Sequence, residues 1–98
     1  MDEPVIVISH IRARQGYEAI VQDLLAKMVE PTQAEEGCIA FTLHQSRSDP
    51  RLFMLFQVWA SEEQLERHGA TAHSAGFRRV APTVLDGPIG RTLWKKVR

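Results

Sequence analysis

Apolar positions along the chain alternate between two periods. Val5-Ile6-Val7-Ile8 is β-branched throughout and predicts a strand over Val5–Ala13. Alternation places Val5, Val7, Ser9, Ile11 and Ala13 on one face, and Ile6, Ile8, His10 and Arg12 on the other. Gln15-Gly16 ends the strand. Tyr17, Ile20, Val21, Leu24, Leu25 and Met28 then recur at i, i+3, i+4, i+7, i+8 and i+11, one apolar stripe of a helix running from about Tyr17 to Glu30. Pro31 predicts a kink or a stop near Glu30. Gly37 is a second stop signal, which allows a kinked helix to continue to Glu36. Period two returns in Cys38–Gln45 and again in Leu52–Trp59. The polar stretch Ser46–Arg51 between them, with its Asp49-Pro50 pair, reads as the turn of an antiparallel hairpin. Ser61 with Gln64 three residues on forms a capping box that opens a second helix, ending near Val80 or Leu85. Gly69 and Gly76 weaken that helix, and Thr71 is placed to break and re-cap it. Asp86-Gly87-Pro88 is a turn, and Ile89–Val97 reads as a last strand.

The order β-α-β-β-α-β predicts a ferredoxin-like α+β fold, an antiparallel sheet with two helices on one face. Phe41, Leu43, Met54, Phe56 and Val58 give the two hairpin strands apolar residues of both parities. Both sheet faces are therefore expected to be dry, with the helices over one and a second subunit over the other.

A chain of 98 residues is one domain, residues 1–98, and its core is small enough for a partner subunit to matter. Twelve Lys and Arg balance twelve Asp and Glu, which argues against binding nucleic acid by bulk charge. No apolar run approaches the roughly 20 residues that cross a bilayer, so no membrane association is expected. The acidic start Met1-Asp2-Glu3-Pro4 has no basic n-region, so no signal peptide is expected either. Cys38 is the single cysteine and cannot form an internal disulfide, which fits a cytoplasmic protein.

Few residues carry recognisable chemistry. Leu65, Gly69, Ala72, Gly76 and Val80 make a stripe of mostly small residues along the second helix, with His73 inside it and His68 at its edge. Small side chains against a sheet leave space, and space beside His73, Trp59 and Phe77 could be a ligand pocket. On one continuous helix the two imidazoles sit roughly 140° apart, a poor arrangement for a shared metal. His73 reads equally as a satisfied structural histidine, Trp59 as core filler, and His44 as a pocket or a surface group on the face of Cys38, Ala40 and Thr42. Cys38 has no clear base beside it and reads as a small buried residue. Phosphate loops, cysteine clusters, HExxH and GxSxG are all missing, so flavin, nicotinamide and structural zinc have no sequence support.

Glu35-Glu36-Gly37-Cys38 followed by His44-Gln45, and Phe53 through Trp59-x-Ser61-x-Glu63-x-Leu65-x-x-His68-x-x-x-x-His73-x-x-x-Phe77, resemble the antibiotic biosynthesis monooxygenase family over nearly the whole chain. The resemblance implies a homodimer whose two sheets close into a dimeric α/β barrel, with a pocket between helices and sheet in each subunit. It implies oxidation of a quinol- or anthrone-like aromatic by O₂ without flavin or metal. In the haem-degrading relatives an Asn on the first strand, a Trp at the end of the third and a helix-two His are essential. Trp59 matches the Trp, but Ser9 stands where the Asn is expected, which weakens the haem reading. His68 and His73 match histidines common in the monooxygenase branch.

The resulting expectation is a cofactor-independent monooxygenase with no metal. His73 is its first candidate for base, His68 and His44 are the substitutes, and Ser9, Trp59 and Phe77 contact the substrate. The alternatives are a non-enzymatic small-molecule-binding module, an isomerase of a small carbonyl compound using Arg12, Arg91 and the histidines, and a haem-binding or haem-degrading protein.

Overall fold

The computed structural model describes residues 3–98; Met1 and Asp2, part of the acidic start read above, lie outside the described residues. The elements are β1 (Val5–Arg12), α1 (Glu18–Gln33), β2 (Cys38–Gln45), β3 (Leu52–Trp59), α2 (Glu62–Gly69), α3 (Ala72–Val84) and β4 (Gly90–Trp94). All neighbouring strands are antiparallel, in the order β2-β3-β1-β4, which is the ferredoxin-like α+β arrangement. No helix among the described residues is long and apolar enough to cross a membrane.

Alternation sorts the sheet as the sequence predicts. Val5, Val7, Ser9 and Ile11 of β1 stand opposite Trp59, Gln57, Leu55 and Phe53 of β3, and all of these are buried beneath the helices. Val21, Leu25 and Met28 of α1, Leu65 of α2 and Phe77, Ala81 and Val84 of α3 close the core from the other side. On the outer face Ile6, Ile8, Met54, Phe56 and Val58 are only half-buried, while Ile39 and Trp94 are 60% and 55% exposed.

The structure settles or corrects the expected outline at four places. First, α1 passes through Pro31 and ends at Gln33, because Pro31 removes one N–H while the following turn is held by Ala34 N–H donating to the Glu30 carbonyl (3.1 Å). Second, the second helix is two helices. Thr71 has extended backbone geometry, donates its hydroxyl to the His68 carbonyl (2.7 Å) and accepts from the Ser74 N–H (3.3 Å), so it terminates α2 and caps α3. Third, a bulge lies between Cys38 and Ala40: Cys38 pairs with Trp59, but Ala40 already pairs with Val58. The extra residue puts Cys38 against the core while Ala40, Thr42 and His44 keep to the outer side. Cys38 and His44 therefore do not share a face. The last strand is also shorter than Ile89–Val97, since only Gly90–Trp94 run beside β1.

The β2–β3 turn is organised by Asp49. Its carboxylate accepts from the Arg12 guanidinium (2.7 Å) and from the Arg51 N–H (3.0 Å). The Arg12 hydrogen bond, then the Arg51 N–H, hold its pKa below the ordinary 3.8. A depressed carboxylate stabilises the fold above its unfolded pKa, and that contribution disappears as pH falls through the folded value. Asp49→Asn should therefore unfold at lower urea than the native chain at pH 7. The two midpoints should converge below the ordinary carboxylate value of 3.8, and a gap independent of pH would contradict this.

Candidate functional site

The site is assembled by the α1–β2 turn and the α2–α3 break. Gly37 adopts a φ of +85°, which favours glycine, and a Cβ there would overlap the Gln64 side chain. The Gly37 carbonyl also accepts from the Ala60 N–H (2.8 Å). The turn is thus pinned against the first turn of α2, and Glu35 reaches the histidines that follow. His68 Nδ1 and His73 Nε2 each lie 2.7 Å from the same oxygen, Glu35 Oε2. An ionised carboxylate only accepts, so both ring nitrogens donate to it as N–H. This overturns the expectation of diverging imidazoles. The helix break between Gly69 and Ala72 swings His73 back toward His68, and the ring centroids come within 5.8 Å.

His68 is buried and packs on the Trp59 ring (centroids 5.0 Å) and near Phe41 (5.8 Å). Trp59 is fully buried and donates Nε1–H to Gln57 Oε1 (2.9 Å), while Gln57 Nε2 donates to Ser9 Oγ (3.4 Å). The resulting order is a floor of Trp59, Gln57 and Ser9 below a histidine tethered to a carboxylate.

A cavity of about 140 Å³ opens between sheet and helices, lined by apolar side chains together with Ser9, Gln57, His68, Ser74, Arg78 and Arg91. Of the residues singled out from sequence, Ser9, His68, Phe77 and Arg91 line it, with Leu65 and Gly69 of the small-residue stripe, whereas Arg12 is paired with Asp49 away from it. Trp59 lies behind His68. His73 sits on the far side of Glu35, in an adjoining cleft between α1 and α3 that shares Met28 and Phe77 with the cavity. His44 is on the outer face, where its Nε2 meets Thr42 Oγ1 (2.8 Å), so it is no part of this cavity. Partial burial, and secondarily the Glu35 charge, push the Cys38 thiol pKa up, so Cys38 is a half-buried, unactivated thiol and not the fully buried residue expected.

Sequence reasoning missed Glu35 and Gln57 as site residues. Gln57 had a signal: it is the one polar residue at an inward position of β3. Glu35 had none at helical or strand period, because its partners are 33 and 38 residues away.

Glu35, His68 and His73 are also a metal-ligating set, with donor atoms within 4.8 Å of one another. Donors on a tetrahedral zinc at about 2.1 Å stand roughly 3.4 Å apart, so the two 2.7 Å nitrogen–oxygen separations are those of hydrogen bonds. As it stands the triad is two imidazoles sharing one acceptor.

Comparisons with known proteins agree with this architecture. The model of the family described as antibiotic biosynthesis monooxygenase matches residues 4–80. Rv0793 of Mycobacterium tuberculosis, provisionally named a monooxygenase, is 30% identical over 93 residues, covering 95% of this chain and 91% of that protein. Its solved structure superposes with a TM-score of 0.92 over 98% of this chain and 97% of that one. The crystal structure of PA3566 from Pseudomonas aeruginosa has a TM-score of 0.95 at 31% identity, covering 100% of this chain and 98% of the other. An uncharacterised Synechocystis protein, sll1783, is 24% identical over 96% of this chain, which spans only 64% of that relative's length. With its matched region covering most of the residues that build the sheet, the helices and the cavity, the chain belongs to the antibiotic biosynthesis monooxygenase family.

Proposed function

We propose that the protein is an O₂-using monooxygenase acting on a small phenol or quinol, with His68 as its base. The observation that carries this reading is a cavity-lining histidine whose Nδ1 is tied to Glu35 at 2.7 Å. That tether leaves Nε2 as the nitrogen available to a molecule in the cavity. Glu35 is a positioning residue: it holds the ring's tautomer and orientation and stabilises the imidazolium that forms.

The chemistry follows from that geometry. The phenol O–H gives its proton to His68 Nε2, and the phenolate passes one electron to O₂. The radical pair recombines with a new C–O bond at a carbon that still bears hydrogen. The peroxide anion recovers the proton from His68, and the hydroperoxide loses water to leave a quinone carbonyl. One oxygen atom of O₂ stays in the product and the other leaves as water, so the substrate supplies every electron. In this reading Ser9 donates to the substrate oxygen, Phe77 is an apolar wall, and the apolar part of the lining keeps water from the anion. A cavity of about 140 Å³ is of the size that takes one aromatic ring. Ser9, in place of an amide on β1, speaks against haem degradation.

The test is O₂ uptake by chelator-treated protein with dihydroquinones, naphthols and anthrones, corrected with heat-killed protein. Saturable, enzyme-dependent uptake that is lost in His68→Ala supports the reading. Background rates across the panel overturn it and leave a binding module or an isomerase.

We further infer a homodimer closed through the outer sheet face, where Ile6, Ile8, Phe56 and Val58 are half-buried and Ile39 is exposed. Light scattering at micromolar concentration should give about twice 11.1 kDa, and a monomer would remove this inference.

A further inference from the structure

The charges around the cavity are of one sign. Arg78 and Arg91 line it, and no carboxylate among the described residues does. Next to it lies a larger cleft of about 480 Å³ that Arg14, Arg78 and Ile89 line with other apolar residues, again without a carboxylate among the described residues. Arg78 and Ile89 belong to both spaces, so the two meet along that pair. Glu35, the carboxylate behind the inner cavity, reaches it only through His68.

What sets these arginines apart is that they line a cavity without a carboxylate partner among the described residues. Arg12, Lys27, Arg51 and Arg67 each pair with an aspartate or glutamate. Arg14 and Arg78 are held by neutral acceptors instead. Arg14 donates to the Leu85 and Pro82 carbonyls (3.0 Å each), and Arg78 donates to Ser74 Oγ (2.9 Å) and the Gly69 carbonyl (2.6 Å). Arg91, opposite Ser9 on the inner side of β4, has no hydrogen bond or salt bridge among the described residues. In a chain of zero formal net charge, Arg78 and Arg91 stand uncompensated on the inner cavity, and Arg14 lines the adjoining cleft that Arg78 shares. Two of them are already oriented, so little side-chain freedom is lost on capturing an anion.

We propose that the ligand of this site is an aromatic oxyanion. Its ring occupies the inner cavity against Val7, Leu25, Leu55 and Phe77, and its carboxylate or phosphate sits at the mouth between Arg78 and Arg91. A longer substituent continues into the cleft toward Arg14. The proposal rests on the inner cavity being the substrate site, but its test reads binding and not turnover.

Calorimetric titration with 4-hydroxyphenylacetate and with 2-(4-hydroxyphenyl)ethanol compares one ring carrying an anionic or a neutral arm. The acid should bind about tenfold or more tightly than the alcohol, and the difference should shrink as salt is raised. Arg91→Gln should bring the acid close to the alcohol, and because Arg91 holds no other group this variant should fold normally. Arg78→Gln should act in the same direction, with thermal unfolding checking the loss of its Ser74 and Gly69 bonds. Arg47→Gln, in the β2–β3 turn, should leave the ratio unchanged. Phenyl phosphate separates the two oxyanions, since whichever of it and 4-hydroxyphenylacetate binds more tightly names the group. Equal affinities for acid and alcohol, an unchanged ratio in Arg91→Gln, or no detectable binding of either would overturn the proposal. A preference for the anion without O₂ uptake would sink the oxygenase reading and leave this one standing. O₂ uptake with neutral phenols that bind as tightly as the anionic ones would do the reverse.

Discussion

Replacing His68 with alanine should lower kcat by about 10²–10⁴-fold, the usual worth of a positioned general base. KM should move far less, because the imidazole acts on the proton and contributes only one edge of the cavity wall. Added imidazole should restore part of the rate, which a purely structural role for His68 would not permit. Glu35→Gln is the companion measurement. The carboxamide preserves the shape of the side chain and can accept from His68 Nδ1–H, but it withdraws the negative charge that stabilises the imidazolium. Its kcat should fall by about tenfold or more with KM nearly constant. In a His68→Ala background the same change should do little more, because Glu35 acts through that ring. His73→Ala should cost less than His68→Ala, since His73 touches the far side of Glu35 and lies outside the lining of the inner cavity. Steady-state O₂ uptake on the native chain and these four variants decides the matter. A His73 variant more damaged than the His68 variant would return the base to His73, the residue favoured by sequence alone.

Trp59→Ala should be the most destabilising of the substitutions considered. The side chain is fully buried, spans the space between β3 and α2, and holds Gln57 through its indole N–H. Truncating a buried tryptophan costs about 3–5 kcal/mol from lost burial and the cavity left behind. That is a large part of the 5–15 kcal/mol available to a typical domain, and for a chain of this size it corresponds to a Tm lower by about 12 °C or more. Trp59→Phe retains most of the volume and loses the bond to Gln57 Oε1, so its cost should be about 1–3 kcal/mol. Unfolding at one fixed protein concentration, followed by circular dichroism, reads both, since association would make the midpoint concentration-dependent. A Trp59→Ala protein within 1 kcal/mol of the native chain would show that the indole is a replaceable wall and not part of the core.

The two expectations share one structural cause. His68 is sandwiched between a carboxylate that aims it and an indole that supports it. Glu35→Gln should therefore spare stability while damaging turnover, and Trp59→Ala should damage both.

The local elements were legible because each depends on near neighbours in the chain. Both hairpin strands, Cys38–Gln45 and Leu52–Trp59, follow from alternation and the Asp49-Pro50 turn, and their observed limits are the same residues. The Ser61 cap is seen as expected, its hydroxyl accepting from the Gln64 N–H (3.2 Å), and Thr71 breaks and re-caps the helix as its position allowed. The order of elements was enough for the ferredoxin-like sheet, because short connections and an apolar stripe on each helix leave few ways to cover one face. What the pattern did not contain was any encounter between residues distant in the chain. A helical wheel carried through Thr71 separated His68 from His73, whereas a two-residue break joins them on one carboxylate. Parity counted through Ile39 put Cys38 on the side of His44, whereas a bulge returns it to the core. Periodicity records which way a side chain leaves its own element. It does not record which other element arrives there, and that was decided by the packing of the α1–β2 turn against α2, which delivers Glu35 to the histidines and makes a candidate site out of residues that separately carried only weak signals.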